Sequence, residues 1–397
     1  MPIKPLLISA YTTVNALGRG IDESAFKLRQ GKGGLRPCDF ADAALNTWIG
    51  RVEGLEEQPV TGELAAFDSR NNRLAQAGLT QDGFAEAVAA ARTRLGPSRI
   101  GVFIGTSTSG ILETEGAYRK RDPASGRLPN GISARYTHDI FVAAEFIRLY
   151  LGLKGPATGI STACSSSAKA FATAYRYMQA GLCDAAVVGG VDSLCLTTLY
   201  GFKSLDLTSS RPCRPWDAER DGLSLGEAAS LALLTWPAAD DHGTALLGYG
   251  ESSDAYHMSA AHPQGTGAAL AMQEALAKAG LDAAQVDYIN LHGTATPSND
   301  AAEDKAVVRV FGAATPCSST KGWTGHTLGA AGATEAVIAC LCIEHGFIPG
   351  TLNTRQPDPG LLANILLETR EQPVNYVLSN SFGFGGSNCS LLFGRLG

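Results

Sequence analysis

Four segments of this sequence place reactive side chains where a turn would expose them. The first, Ser161 to Gly181, reads STACSSSAKAFATAYRYMQAG. Small polar residues lead into an Ala-rich amphipathic stretch, which puts Cys164 at the turn into a helix. Unpaired N–H groups and the positive dipole end of a helix favour thiolate over thiol. The residue's own N–H would be free to face a developing oxyanion. Taken alone, the segment is equally well explained by a structural cysteine at a helix start.

The second segment is INLHGTATPSNDAAEDKAV. A strand ends at His292, and Gly293, Thr294 and Pro297 turn the chain before an acid-bearing helix. A histidine at the C-terminal end of a strand in an α/β protein points to the crevice where ligands bind; a histidine that merely caps the turn fits this segment too. The third, SSTKGWTGHTLGAAGATEAV, sets Lys321 and His326 on a Gly-rich turn running into a helix. Glu335 lies nine positions beyond His326, about two and a half helical turns on, within reach of Lys321 or His326 as a supporting carboxylate. A solvated surface lysine is the competing reading of Lys321. The fourth, SNSFGFGGSNCSLLF, is a Gly-rich loop between two apolar strands. It can hold the Phe384 N–H against a ligand while the ring covers a pocket. GFGG precedes a strand and not a helix, which argues against a phosphate cradle.

Elements must bring these four segments together. Short β-branched runs alternate with longer Ala-rich stretches, the pattern of α/β layering. Strands are predicted at Arg99–Ile104, Ala185–Val191, Ala229–Thr235, Val286–Leu291, Val377–Ser381 and Ser390–Phe393, with a first strand in the apolar N-terminal stretch. Helices are predicted at Arg70–Leu95, Asp139–Leu151, Ser165–Ala180, Ala268–Ala279, Ala301–Phe311 and Ala330–His345. The polar stretch PAADDHG, Pro237–Gly243, suggests a boundary between residues 1–243, which hold the nucleophile, and residues 244–397, which hold both histidines. Gly105–Thr137, rich in Gly, Ser, Pro and charge, reads as an insertion capping a substrate entrance.

The chain has 397 residues, 45% of them apolar, with 46 Gly, enough for a large core in two similar halves. Only 18% of residues are charged and the net charge is -6, which argues against a nucleic-acid or anionic-membrane binder. The N-terminal apolar stretch is too short to span a membrane. Nine cysteines, odd in number and without CxxC or Cys/His spacing, argue against a disulfide scaffold or a metal site and suit a reducing cytoplasm.

TACSSS, RPWDAERDGLSLGEAA, NLHGTATPSND, KGWTGHTLGAAGATE and SNSFGFGGSN occur together and in this order. With them the sequence resembles the β-ketoacyl-acyl carrier protein synthases of type II fatty acid and polyketide synthesis, in the thiolase superfamily. The resemblance covers most of the chain from Gly101 onward. It implies a duplicated five-layer αβαβα fold, and a homodimer or a heterodimer with a related subunit. It also implies catalysis without metal or organic cofactor, on acyl and malonyl groups delivered by acyl carrier protein. Cys164 would take the acyl group, and the N–H groups of Cys164 and Phe384 would face the oxyanion. His292 and His326 would donate from Nε2–H to an enolate, which requires each Nδ1 to accept a hydrogen bond. Lys321 would hold the local field, with Glu335 behind it.

Two features depart from the family pattern: Leu223 stands where Phe is usual in RDGF, and Ala228 replaces the second Gly of GEGA. FDSRNNRLA, Phe67 to Ala75, looks more like ketosynthases of aryl polyene pathways than housekeeping elongation enzymes. A coenzyme A-dependent thiolase would bring a second cysteine near the C-terminus as base, and Cys389 lies in that region but within SNCS. A chain-length partner subunit would lack the nucleophile. Carrier proteins present an acidic helix, so basic side chains should surround the entrance: Arg70 and Arg73 on one helix face, with Lys120, Arg121 and Lys203 in loops.

Overall fold

IGVFIG, AAVVGGVD and AASLALLT carry almost no polar alternation and are buried along their whole length, as strands covered on both faces are. A computed structural model describes residues 2–129 and 133–396 and shows what covers them. The chain opens with β1 (Leu6–Asn15), β2 (Gly18–Arg19), α1 (Ile21–Gln30), β3 (Arg36–Pro37), β4 (Trp48–Gly50), α2 (Arg70–Leu79) and α3 (Phe84–Leu95). Next come β5 (Ile100–Gly105), α4 (Ile111–Arg119), α5 (Ala134–Thr137), α6 (Val142–Tyr150) and β6 (Ala157–Ile160). The elements α7 (Ser166–Gln179), β7 (Ala185–Asp192), α8 (Leu196–Ser204), β8 (Leu225–Gly226) and β9 (Ala228–Thr235) follow. The remainder begins with β10 (Gly243–Ser253), α9 (Thr266–Ala279), β11 (Tyr288–Asn290), α10 (Pro297–Phe311), β12 (Pro316–Ser318), α11 (Lys321–Thr324) and α12 (Ala331–His345). It closes with β13 (Phe347–Ile348), β14 (Asn364–Ile365), β15 (Arg370–Glu371), β16 (Tyr376–Gly383) and β17 (Ser387–Leu396).

The main strand path is β14-β12-β11-β16-β17-β10-β1-β9-β7-β5-β6. Its two sides repeat one plan. In β1, β5, β6, β7 and β9 the spatial order from the edge is third, second, fourth, fifth, first; β10, β11, β12, β16 and β17 give the same order. The first three strands in each spatial series pair in parallel and the next two antiparallel in both. The two series meet where β1 pairs β10 through only Leu6–Leu246 and Leu7–Ala245. Helices α7 and α12 pack on each other between the series; α2, α3 and α6 cover one outer face, and α9, with α10 against it, covers the other. The result is the five-layer αβαβα arrangement.

A middle layer has no wet face, which explains α12: every residue from Ala331 to Ile343 is buried. Leu328–His345 is the one helical segment among the described residues long and apolar enough to cross a membrane, and 89% of it is buried in this core.

Several predicted boundaries move. Arg70–Leu95 is two helices, because Asp82 and Gly83 take left-handed φ of 58° and 66° between them. Asp82 accepts from Thr12 Oγ1 and the Ile21 N–H, so the break ties two helices to β1 and α1. PAADDHG is followed at once by β10, an 11-residue strand the polar composition had hidden. The short strands β6 and β12 and helix α8 carry little periodicity and were not predicted; helix α1, which buries Ser24, Ala25 and Leu28 on one face, was missed as well. Of the stretch Gly105–Thr137, Asn130–Ile132 lie outside the described residues. The rest forms α4 and α5, which pack on α8 and α6.

Candidate active site

The loop after β6 makes a tight elbow. Ala163 sits at φ 54°, a left-handed conformation costly for a residue with a Cβ. The serines of STACSSS hold it there: the Thr162 N–H donates to Ser166 Oγ (2.9 Å), Ser165 Oγ donates to the Thr162 carbonyl (2.8 Å), and Ser166 Oγ to the Ala163 carbonyl (2.5 Å). Ser167 Oγ accepts the Ala333 N–H of α12 at 2.9 Å. Cys164 is thereby presented just before α7, 5% exposed. A Cβ on Gly383 would lie 2.7 Å from the Thr162 carbonyl and 3.2 Å from the Cys164 nitrogen, so only glycine lets the GFGG loop close over this elbow. The Phe384 N–H then reaches the Cys164 sulfur, and the Phe384 ring stacks on Phe202 with centroids 5.6 Å apart.

His292 leaves the end of β11, and its backbone is clamped by α10. Glu303 accepts from the His292 and Gly293 N–H groups (2.7 and 2.8 Å) and from Asn380 Nδ2 (3.1 Å). Burial pushes the Glu303 carboxyl up to about 7. Glu303 was not singled out from the sequence, although it lies in the acid-bearing helix noted there. His326 is gripped by the RDGLSLGE segment: its N–H donates to the Ser224 carbonyl (2.7 Å), and its carbonyl accepts from Gly226 (2.9 Å). His326 Nε2 lies 2.9 Å from Cys164 Sγ. The two imidazoles stand nearly perpendicular, with centroids 5.3 Å apart. Lys321 is buried, not solvated, and its Nζ donates to Glu335 Oε1 at 2.5 Å.

Electrostatics corrects one expectation. Burial pushes the Cys164 thiol from 9.0 up to about 12; the Lys321 cation and the Phe384 N–H work against that rise, and Asp192 and Glu335 add to it. This is a cost on the order of 4 kcal/mol against the thiolate, whereas a helix terminus supplies about 0.3–1 kcal/mol, at most ~2. On this balance the site favours the thiol over the thiolate. Burial, reinforced by Lys321, holds both imidazoles well below the usual histidine range, so they are neutral. Burial likewise pushes Glu335 up to about 7, opposed by Lys321. No protein group among the described residues hydrogen-bonds either Nδ1, contrary to the expectation that each accepts a bond.

A cavity of about 50 Å³ opens on Cys164, His292 and His326, walled by Phe202, Leu223 and Phe384. Leu223, the departure from RDGF, is thus part of the wall. None of the described residues of Gly105–Thr137 lines this cavity. Cys389 is buried in β17 and is not in the lining, so it is not placed to act as a second-cysteine base. The thiol and ring nitrogens of Cys164, His292 and His326 lie within 4.8 Å of one another. Such a donor set would suit a thiophilic ion as well as nucleophilic and acid–base chemistry.

Both expected docking arginines are held by carboxylates, and Arg70 is structural. Arg70 is 5% exposed and clasps Glu227, itself fully buried, through Nε (2.9 Å) and Nη2 (2.6 Å). Removing one partner from such a pair costs about 3–5 kcal/mol, so charge reversal there would report folding. Arg73 is held on Asp68 through two bonds of 2.7 and 2.5 Å. Lys120 and Arg121 are exposed after α4, in a stretch whose described residues supply none of the cavity lining. Lys203 is exposed next to Phe202 of the cavity wall.

Family models described as β-ketoacyl synthase, N-terminal domain, and β-ketoacyl synthase, C-terminal domain, match residues 72–237 and 244–355. The 3-oxoacyl-[acyl-carrier-protein] synthase 2 of Vibrio harveyi is 32% identical, covering 100% of both chains. Nodulation protein E of Rhizobium meliloti is 37% identical over 74% of this chain and 75% of its own. A solved ketosynthase in complex with its chain length factor, from Xenorhabdus doucetiae, superposes with a TM-score of 0.88 at 40% identity, covering 99% of this chain and 98% of that one. A β-ketoacyl synthase from Burkholderia phymatum superposes with a TM-score of 0.88 at 30% identity over 100% of both chains.

Proposed function

The chain belongs to the β-ketoacyl synthase family, and on that basis we propose that Cys164, His292 and His326 carry out a decarboxylative Claisen condensation on carrier-protein thioesters. The protein is a 3-oxoacyl-acyl carrier protein synthase, a condensing acyltransferase. The observation that carries the residue assignment is the 2.9 Å contact between His326 Nε2 and Cys164 Sγ, with His292 beside it in the same cavity.

In the first half-reaction the sulfur attacks the acyl thioester carbonyl, and its proton passes to His326 Nε2. The N–H groups of Cys164 and Phe384 hold the oxyanion, each donor contributing about 3 kcal/mol. The carrier sulfur leaves as a thiolate and is protonated from solvent, while the His326 imidazolium gives up its Nδ1 proton and keeps Nε2–H for the second half-reaction. In the second, malonyl thioester loses CO2, and the electron pair of the broken C–C bond becomes an enolate. His292 and His326 donate to its oxygen from Nε2–H; no protein bond at Nδ1 among the described residues forces the other tautomer. The enolate carbon attacks the acyl-enzyme, and one proton from solvent restores the Cys164 thiol. Burial, reinforced by Lys321 in its pair with Glu335, keeps both imidazoles neutral, so that the donors are weak acids and not cations. The chemistry draws on no metal or organic cofactor, and a metal ion on the Cys–His–His set would block it.

Residues 1–243 and 244–397 form the two repeated halves. β6 ends the main strand path with Ile140 and Phe141 exposed beside it, a face suited to a second subunit, the same chain or a related one. Nine free cysteines fit a cytoplasmic setting. A cavity of about 50 Å³ holds water but not an acyl chain, so acyl binding requires the Phe202 and Phe384 wall to move. Fatty acid, polyketide and aryl polyene precursors all satisfy this chemistry. Offering a panel of alkyl and aryl acyl-carrier proteins and weighing the protein by mass spectrometry should place one acyl adduct on the Cys164 peptide. An adduct on any other cysteine would sink the assignment.

Lys203 is the docking residue we retain. Lys203→Glu should raise the Michaelis constant for carrier-bound substrate about two- to fivefold, with kcat unchanged and the effect fading at high salt. Kinetics identical to wild type at low salt would remove it from the docking surface.

A further inference from the structure

The hydroxyl-rich run Thr106-Ser107-Thr108, read from the sequence as part of a cap, has another use. All three side chains turn onto Asp192, a fully buried carboxylate at the end of β7. Asp192 Oδ1 accepts from Thr106 Oγ1 (2.7 Å), Thr108 Oγ1 (2.8 Å), and the Ser107 and Thr108 N–H groups (2.8 and 2.9 Å). Oδ2 accepts from Ser107 Oγ (2.6 Å), the Ser107 N–H (3.0 Å) and, from the other half of the chain, the Gly329 N–H (2.5 Å). Six donor groups on one buried carboxylate far exceed what a lone capping role would need.

Gly329 lies three residues after His326. Between them Leu328 is left-handed at φ 54°, a strained conformation for a branched side chain that the surroundings must hold. Upstream, His326 is gripped by Ser224 and Gly226; downstream, the anchor is the Gly329–Asp192 bond. A Cβ on Gly329 would sit 2.8 Å from Asp192 Oδ2 and 2.8 Å from the Ser107 nitrogen, so the turn and the carboxylate fit only with glycine there.

We propose that Asp192 is a positioning residue: it locks the turn behind His326 to the loop after β5 and so aims Nε2 at the Cys164 sulfur. This rests on the reading of His326 as the partner of Cys164. Asp192 also faces Cys164 with a charge, alongside Lys321, Glu335 and the two neutral imidazoles, and it helps keep the sulfur a thiol until His326 takes the proton.

Asp192→Asn keeps the volume but turns an NH2 toward groups that are themselves donors. In the full-length enzyme, acyl-enzyme formation should slow about tenfold to 100-fold, with the Michaelis constant for acyl-carrier unchanged. Iodoacetamide labelling of Cys164 should shift to lower pH, because a negative charge beside the sulfur is gone. Gly329→Ala, which keeps the charge and displaces the turn, should slow acylation without that pH shift; it also serves if Asp192→Asn does not fold. A folded Asp192→Asn enzyme with wild-type acylation and labelling overturns the proposal, and so does a rate loss that only follows the loss of folded protein. If the condensing reading itself were wrong, wild-type protein would form no acyl-enzyme, yet the labelling comparison would still report the Cys164–His326 geometry.

Discussion

Replacing Cys164 by glutamine should abolish condensation while malonyl-carrier decarboxylation continues. The side chain removed is the acyl anchor and the hydrogen-bond partner of His326 Nε2, but the backbones that carry the two imidazoles are held elsewhere. His292 is fixed by Glu303, and His326 by Ser224 and Gly226 on one side and the Gly329 turn on the other. A neutral amide also suits the site electrostatically, because burial there favours the thiol over the thiolate. It can sit where the acyl-enzyme carbonyl would lie and leave the Nε2–H donors free for the enolate. Released CO2 and condensed product, measured on the same variant, decide the matter. If decarboxylation disappears with condensation, the enolate is not stabilised independently of position 164, and the division of labour is wrong.

The two histidine variants should then separate from each other. Losing either donor should slow decarboxylation on the order of 100-fold or more. Acylation should distinguish them. With the helix terminus outweighed by burial, the thiol depends on the base 2.9 Å away, so His326→Ala should impair acyl transfer as well. His292→Ala should spare it. The pH dependence follows from the same burial: both imidazoles are held well below the ordinary histidine value, so neither protonates as pH falls from 8 to 6. Neither histidine should therefore contribute an acid limb near 6.5; the site groups that titrate in this window are Glu303 and Glu335, both pushed up to about 7 by burial. Rapid acylation by His326→Ala would return activation to the helix terminus; a limb at 6.5 that vanishes in His292→Ala would show that this imidazole is not desolvated.

Much of the site was legible because its signals are local. Cys164, His292, Lys321, His326 and Phe384 each stand at a turn after a strand or before a helix. Small or Gly-rich residues announce such turns in the sequence, and their order along the chain carried the family resemblance. The alternation of short β-branched runs with Ala-rich stretches likewise determined the layered α/β class, since run length and residue type are properties of neighbouring residues. Elements of two to four residues, such as β6 and β12, carry no period to read and were missed for that reason.

What only the tertiary structure decided depends on partners far apart in the chain. Arg70 looked like a docking cation until Glu227, 157 positions away, was found against it. Glu303 and Asp192 were not singled out from the sequence; their work appears only when His292, Asn380, Ser107 and Gly329 close around them. The same holds for protonation. The motif at Cys164 determined that a helix terminus would lie beside the sulfur, but desolvation is set by everything else that surrounds it. Here that burial outweighs the terminus and favours the thiol, which is why the proposed mechanism gives His326 the proton.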